Sequence, residues 1–253
     1  MMLSYMLLFF GLGVVLGSLF NKIGKHLPNE ERILTKEKCP HCGYQYEWYE
    51  RVPLLSYFLC FGRCPMCNCK LNRLELFNEL ATGLLFTFAY YVFGISYDLL
   101  IAWTIISIFM IVIVSDFTYY IISDEVLIVI NCILMLIYFL KDGFTGMVLH
   151  VASGLFLFLV MYSVMIIGNI LLKKESLGGG DIKMMFTFGL ILGPIIGLVS
   201  IFVSSCIALP VSLIIMYTKK ESIIPFGPFL LMSLLLLYFT SFDTSTIINL
   251  IRF

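Results

Sequence analysis

The chain has 253 residues, 60% of them hydrophobic and 13% charged, with basic and acidic side chains in equal number and a net charge of zero. Average proteins carry about 25% charged residues; with a mean hydropathy of +1.01, a soluble globular domain is excluded. Nothing in the charge balance points to nucleic acid, and several apolar runs reach the ~20 residues that a bilayer crossing requires.

An all-α polytopic membrane protein with eight spans is expected, at about 2–20, 77–93, 98–115, 125–140, 147–171, 182–198, 199–217 and 224–241. The first run has no basic residue ahead of it and no small-residue cleavage site, and its positive charges follow it. It therefore reads as a retained span rather than a secretion signal. Lys22, Lys25, Arg32, Lys36, Lys38, Arg51, Arg63, Lys70 and Arg73 all fall within 21–76. Excess Lys and Arg marks the cytoplasmic side, so this segment is expected inside and the N-terminus outside. Counting spans from there puts 116–124, 172–181 and 218–223 inside as well. Lys173, Lys174, Lys219 and Lys220 go with them, and Lys183 comes to the inner mouth of its helix. The boundary between the sixth and seventh spans lies in an unbroken apolar run that Gly193-Pro194 and Gly197 punctuate. A few polar residues before Phe253 leave no large soluble domain expected at that end. Three parts follow: a first span over 1–20, an insert over 21–76 and a membrane domain over 77–253.

The insert holds Cys39-Pro40-His41-Cys42 and Cys64-Pro65-Met66-Cys67. Two C-x-x-C pairs about 20 residues apart have the ligand spacing of a tetrahedral four-thiolate zinc site. A reducing cytoplasm argues against disulfides, and an insert with few core-forming residues gains folding energy from a metal. Cys60 and Cys69 are extra; Cys69 is close enough to Cys67 to compete as a ligand. Cys132 and Cys206 lie in spans and read as packing residues. The aromatic and charged run from Glu47 to Tyr57 suits the membrane interface.

The third span ends in Ser115-Asp116, and the sixth opens with Gly178-Gly179-Gly180-Asp181-Ile182-Lys183. Both acids fall at cytoplasmic helix ends. A carboxylate there is costly unless it faces water or a partner, which makes it a functional candidate. Two such acids brought together can share one proton and activate a water, one taking the water's proton while the other hydrogen-bonds the scissile carbonyl. They would titrate as a unit. The helix N-terminus, with Lys183 nearby, favours negative charge at Asp181. The three glycines let the backbone turn sharply and approach another segment. Asp124 and Glu125 are expected to face water and cap the fourth span.

Together these parts resemble the bacterial type IV prepilin peptidase family, the bifunctional leader peptidase and N-methyltransferase. The resemblance is carried by Gly17-Ser18-Leu19-Phe20-Asn21, the two cysteine pairs, Trp48-Tyr49-Glu50 and Pro53-Leu54-Leu55-Ser56-Tyr57. It continues through Glu79 with Thr82-Gly83, the Asp116 segment, Gly178 to Lys183, and Pro225-Phe226-Gly227-Pro228-Phe229. It implies that Asp116 and Asp181 are the catalytic acids of a Gly-x-Gly-Asp membrane aspartic protease, with Gly178, Gly179, Gly180 and Lys183 in its active-site loop. It also implies a bacterial inner-membrane enzyme with its active site facing the cytoplasm. Such an enzyme cuts the basic leader from type IV prepilins and pseudopilins after a glycine. It then methylates the new N-terminal residue with S-adenosylmethionine. The chain departs from the family pattern at Thr118, at Ser123 before Asp124, at His26 and near Arg73-Leu74-Glu75. The sequence has no glycine-rich Rossmann turn for the methyl donor; Glu50, Arg51 and Glu79 are polar candidates for that pocket. Two other readings stand beside this one: a leader peptidase without methyltransferase activity, and a multi-pass carrier whose zinc knuckle docks a partner.

Overall fold

A computed structural model describes residues 2–27, 39, 41–45, 63–70, 73–173, 178–219 and 226–240. Six helices make up almost all of it: α1 (Met2–His26), α2 (Arg73–Phe93), α3 (Tyr97–Tyr119), α4 (Asp124–Leu172), α5 (Gly179–Lys219) and α6 (Gly227–Phe239). Among the described residues the pairing of extended chain is limited to isolated bridges, such as Arg63 with Lys70. The all-α expectation therefore holds.

The helices fall into two compact units, Met1–Ile95 and Ser96–Phe253. In the first, α1 and α2 lie antiparallel and very close. A Cβ on Gly13 would stand 2.8 Å from the Gly83 Cα, and one on Gly17 would stand 2.9 Å from the Glu79 Cα. Between apolar helices in lipid, small residues at such a crossing admit backbone-to-backbone packing. Polar groups hold the register at one end of the pair. Asn78 donates to the buried Asn21 side chain at 2.7 Å, Asn21 donates to the Glu75 carbonyl at 3.1 Å, and Lys25 pairs with Glu75. At the other end Phe9 packs against Tyr90, ring centroids 4.7 Å apart.

In the second unit α3 is apolar on every side and buried, with Ile101, Ile105, Ile106 and Ile108 at its centre. Such a helix belongs in a core. Helix α4 breaks at Gly143 (φ 72°, ψ −173°) and α5 at Gly193 (φ 76°, ψ 178°). Both conformations are open to glycine almost alone, and Pro194 adds a missing N–H at the second break. Six helices with two breaks give eight helical segments. Five of the six are long and apolar enough to cross a membrane, and α6 is a shorter apolar helix. The second break falls at Gly193, five residues before the 198/199 division expected from hydropathy. Side-chain hydrogen bonds tie the elements together: Ser233 donates to the Ser200 carbonyl at 2.9 Å, Thr187 to the Asn131 side-chain oxygen at 2.8 Å, and Tyr238 to the Asp98 carbonyl at 3.1 Å. Long rows of exposed Leu, Ile, Val and Phe on α4 and α5 suit an integral membrane protein. Cys132 and Cys206, expected to pack inside, are on these exposed faces.

Candidate functional site

Asp116 occupies the last turn of α3. The chain stops being helical at Tyr120, whose left-handed conformation (φ 57°) lets its N–H bond the Asp116 carbonyl at 3.1 Å. The Asp116 side chain is buried, 6% exposed. Gly227, the first residue of α6, packs directly against its carboxylate. A helix N-terminus is a natural partner for an anion. Oxygen Oδ2 has no hydrogen-bond partner among the described residues. It lies over Gly227 so closely that a Cβ there would stand 2.8 Å away.

Asp181 is in the first turn of α5 and half-buried. Its carboxyl folds back over Gly178, where a Cβ would meet Oδ2 at 3.3 Å. Gly180 faces Ile122, whose Cβ would be 3.0 Å from a Cβ on the glycine. Ile122 also faces Gly227, at 3.2 Å on the same measure. The single residue Ile122, in the turn between α3 and α4, thus lies against the glycine beside each acid. Neither Gly227 nor Ile122 was singled out as a site residue from sequence. Gly227 was visible within the Pro-Phe-Gly-Pro-Phe run; Ile122 carried no signal, because an isoleucine in an apolar chain looks like any other.

Gly178 and Gly179 are exposed, and Lys183 faces away from the acid pair. Its ammonium bonds both oxygens of Asp124, at 2.7 and 2.6 Å. The cation expected to favour charge on Asp181 is therefore matched to Asp124 instead. Residues 183 and 181 are about 200° apart around a helix of 3.6 residues per turn, so one cannot face the other. Asp124 and Glu125 stand in the first turn of α4 after Ser123 at the N-cap position.

In the other unit the two cysteine pairs form matching turns. Cys39 N–H bonds the Tyr44 carbonyl and Gly43 N–H bonds the Cys39 carbonyl, at 2.8 and 2.9 Å; Cys64 N–H bonds the Cys69 carbonyl and Asn68 N–H bonds the Cys64 carbonyl, at 2.8 and 3.0 Å. Gly43 (φ 72°) and Asn68 (φ 57°) take the same left-handed position in each. Sulfurs of Cys39, Cys64, Cys67 and Cys69 all lie within 4.8 Å of one another. Cys42 stands beside this group, its sulfur 3.9 Å from Cys64. Cys39 is 3.6 Å from Cys67 and 3.5 Å from Cys69. Four sulfurs bound to zinc at ~2.3 Å are separated by about 3.8 Å, so the cluster has the dimensions of a site that could hold zinc.

Its chemistry fits a cation as well. The Cys42 N–H pulls the Cys39 thiol down to about 5, and the Cys67 N–H lowers Cys64. Hydrogen bonds to Cys67 and Cys39 push Cys69 up to about 12. Crowded thiols cannot all ionise beside one another, and a divalent ion relieves that. His41 is exposed. Glu79 is buried on α2 against Gly17. Glu50, Arg51 and Cys60 lie outside the described residues.

Comparison with known proteins covers both units. Residues 12–93 match the Bacterial Peptidase A24 N-terminal domain, and residues 102–213 match the Type IV leader peptidase family. The prepilin leader peptidase/N-methyltransferase of Bacillus subtilis (strain 168) is 33% identical over 196 residues, covering 76% of this chain and 74% of its own length. The protein of that name from Neisseria gonorrhoeae is 30% identical over 197 residues, 77% of this chain and 68% of its own. That from Vibrio cholerae is 26% identical over 206 residues, covering 75% and 78%. No solved structure matches the chain.

Proposed function

The chain belongs to the type IV leader peptidase family, and from that premise we propose how it cuts prepilin leaders and methylates what remains. The observation that carries the reading is the buried Asp116 against Gly227 at the start of α6, with Ile122 lying against both Gly227 and Gly180, the residue before Asp181. In this reading one acid is protonated and one ionised. The carboxylate takes a proton from water as the water's oxygen attacks the scissile carbonyl, and the carboxylic acid donates a hydrogen bond to the carbonyl oxygen. Collapse of the tetrahedral intermediate returns a proton to the departing amine. Asp116 Oδ2, without a hydrogen-bond partner among the described residues, is the oxygen available to that water or carbonyl. Gly178 keeps backbone close to the Asp181 carboxyl and Gly227 close to that of Asp116, while Gly180 makes room for Ile122.

The substrate is a prepilin or pseudopilin with a basic leader and an apolar helix. Lying in the same bilayer, the helix fixes its junction in depth before any specific contact forms, which lowers the entropic cost of reaching the acids. The basic residues of the loops are those expected on the cytoplasmic face of the bacterial inner membrane, and the cut is assigned to that face.

Cys39, Cys42, Cys64 and Cys67 are assigned as a structural zinc site. A zinc there would supply folding energy to a segment with little core, and takes no part in hydrolysis. The methyl group comes from S-adenosylmethionine, whose sulfonium makes the methyl carbon open to attack by the amine released on cleavage. Glu79, buried on α2, remains the described candidate for that pocket.

The test is incubation of the purified protein with a full prepilin in detergent or liposomes, followed by mass spectrometry. A mass loss equal to the leader, and transfer of a labelled methyl group to the cleaved product, are the expected results. Cleavage without methyl transfer would leave a leader peptidase alone. Intact substrate would favour the carrier reading and overturn this one.

A further inference from the structure

Tetrahedral zinc takes four ligands, yet among the described residues five sulfurs gather at the paired turns. Cys39, Cys64 and Cys67 belong to the set chosen by sequence spacing and to the set chosen by distance. Two thiols remain for the fourth corner. Cys42 has the C-x-x-C spacing and lies 3.9 Å from Cys64. Cys69 lies 3.5 Å from Cys39, and within 4.8 Å of each of the other three. Its position is built in by the backbone. The Cys69 carbonyl accepts the Cys64 N–H, as the Tyr44 carbonyl accepts the Cys39 N–H in the first turn. The second turn thus carries a sulfur at the place where the first carries a tyrosine.

We propose that Cys42 and Cys69 are interchangeable ligands at one corner of a zinc ion whose other three ligands are Cys39, Cys64 and Cys67. The inference rests on the zinc assignment above and extends it. In the exchange the Cys69 sulfur bonds the metal as its proton leaves. The Cys42 sulfur–metal bond breaks, and that thiolate takes up a proton. Ligand number, oxidation state and net charge of the metal centre are the same before and after. The consequence is redundancy: the metal site survives loss of either thiol.

The test uses the full chain in detergent, with zinc affinity read by competition against a chromophoric chelator. Wild type is compared with C42S, C69S, C42S/C69S and C64S. Both single variants at the shared corner should keep one zinc per chain with affinity within ~10-fold of wild type. The double variant should fall by at least ~100-fold, at or beyond the upper end of what losing an outer-shell partner costs, and should match C64S. Cobalt replacement gives a second readout: the thiolate-to-cobalt charge-transfer band should have the same intensity in wild type and each single variant, and about three quarters of it in the double. Alkylation mapping of zinc-loaded wild type needs no variant, and should label Cys42 and Cys69 while Cys39, Cys64 and Cys67 stay protected. A C42S or C69S protein that loses metal as fully as C64S overturns the exchange, as does a double variant that keeps it. Wild type that takes up neither zinc nor cobalt overturns the metal assignment itself.

Discussion

Asp116 is placed where a carboxylate costs most, on the last turn of a buried apolar helix, and Gly227 is the residue that makes room for it. With hydrogen in place of a side chain, the start of α6 can approach the carboxylate closely. Gly227→Ala would put a methyl 2.8 Å from Oδ2 and push the acid aside. Misplacement of about 1 Å in a reacting group costs on the order of 100-fold in rate. Leader cleavage should fall by about that factor, with zinc content and helical circular dichroism unchanged. Gly180→Ala meets an Ile122 carbon rather than an oxygen, at 3.0 Å, and should cost less than Gly227→Ala in the same assay. At this scale sequence and structure part company in an instructive way. That Asp116 and Asp181 stand at helix ends follows from hydropathy alone. That Lys183 serves Asp124 rather than Asp181 does not, because the partner comes from α4, more than fifty residues away in the chain. Cys69 was visible as a competitor, but its standing beside Cys39 depends on a turn whose shape only the fold supplies.

At the scale of elements, glycine decides where helices meet and where they end. The α1–α2 crossing depends on Gly13, Gly17 and Gly83, each with backbone or side-chain atoms within 3.0 Å of where a Cβ would be. Gly13→Leu should separate the pair and cost about 1–3 kcal/mol, the usual penalty of overpacking, seen as a lowered midpoint of thermal unfolding in detergent. At Gly193 space is open but the backbone is not: φ is 76° with nothing within 4 Å of a Cβ. Gly193→Ala should therefore cost about 1–3 kcal/mol through strain alone, with no change in packing detected by cross-linking across α4 and α5. The two breaks were legible, because each falls at a glycine, Gly143 after the polar pair Lys141-Asp142 and Gly193 within an apolar run. The position of the second break was less so, since hydropathy is blind to φ and the run from 184 to 217 has no polar residue where the chain turns.

Across the whole molecule, the two compact units correspond to two separate family matches, residues 12–93 and 102–213. The cysteine cluster is in the first and the acid pair in the second. Metal removal should act accordingly. Treatment with a strong zinc chelator should speed amide exchange at 39–45 and 63–70, where few apolar contacts hold the chain. The helices of Ser96–Phe253 should keep their protection, measured by hydrogen–deuterium exchange with mass spectrometry. Equal loss of protection in both units would contradict a metal that stabilises its own segment. Composition and the spacing of cysteines sufficed to read a membrane protein with a cysteine cluster that could hold a metal. The meeting of distant residues at Ile122 was out of reach, since no local pattern records which helix ends converge.

Leader cleavage by wild type, Asp116→Asn and Asp181→Asn enzymes, each at equal zinc content and helicity, bears most directly on the proposal that this pair does the chemistry. The account predicts rapid removal of the leader by wild type and a loss of at least ~10³-fold in each single variant, because a unit of two acids fails when either member cannot exchange a proton. Cleavage at near wild-type rate by either variant would contradict it.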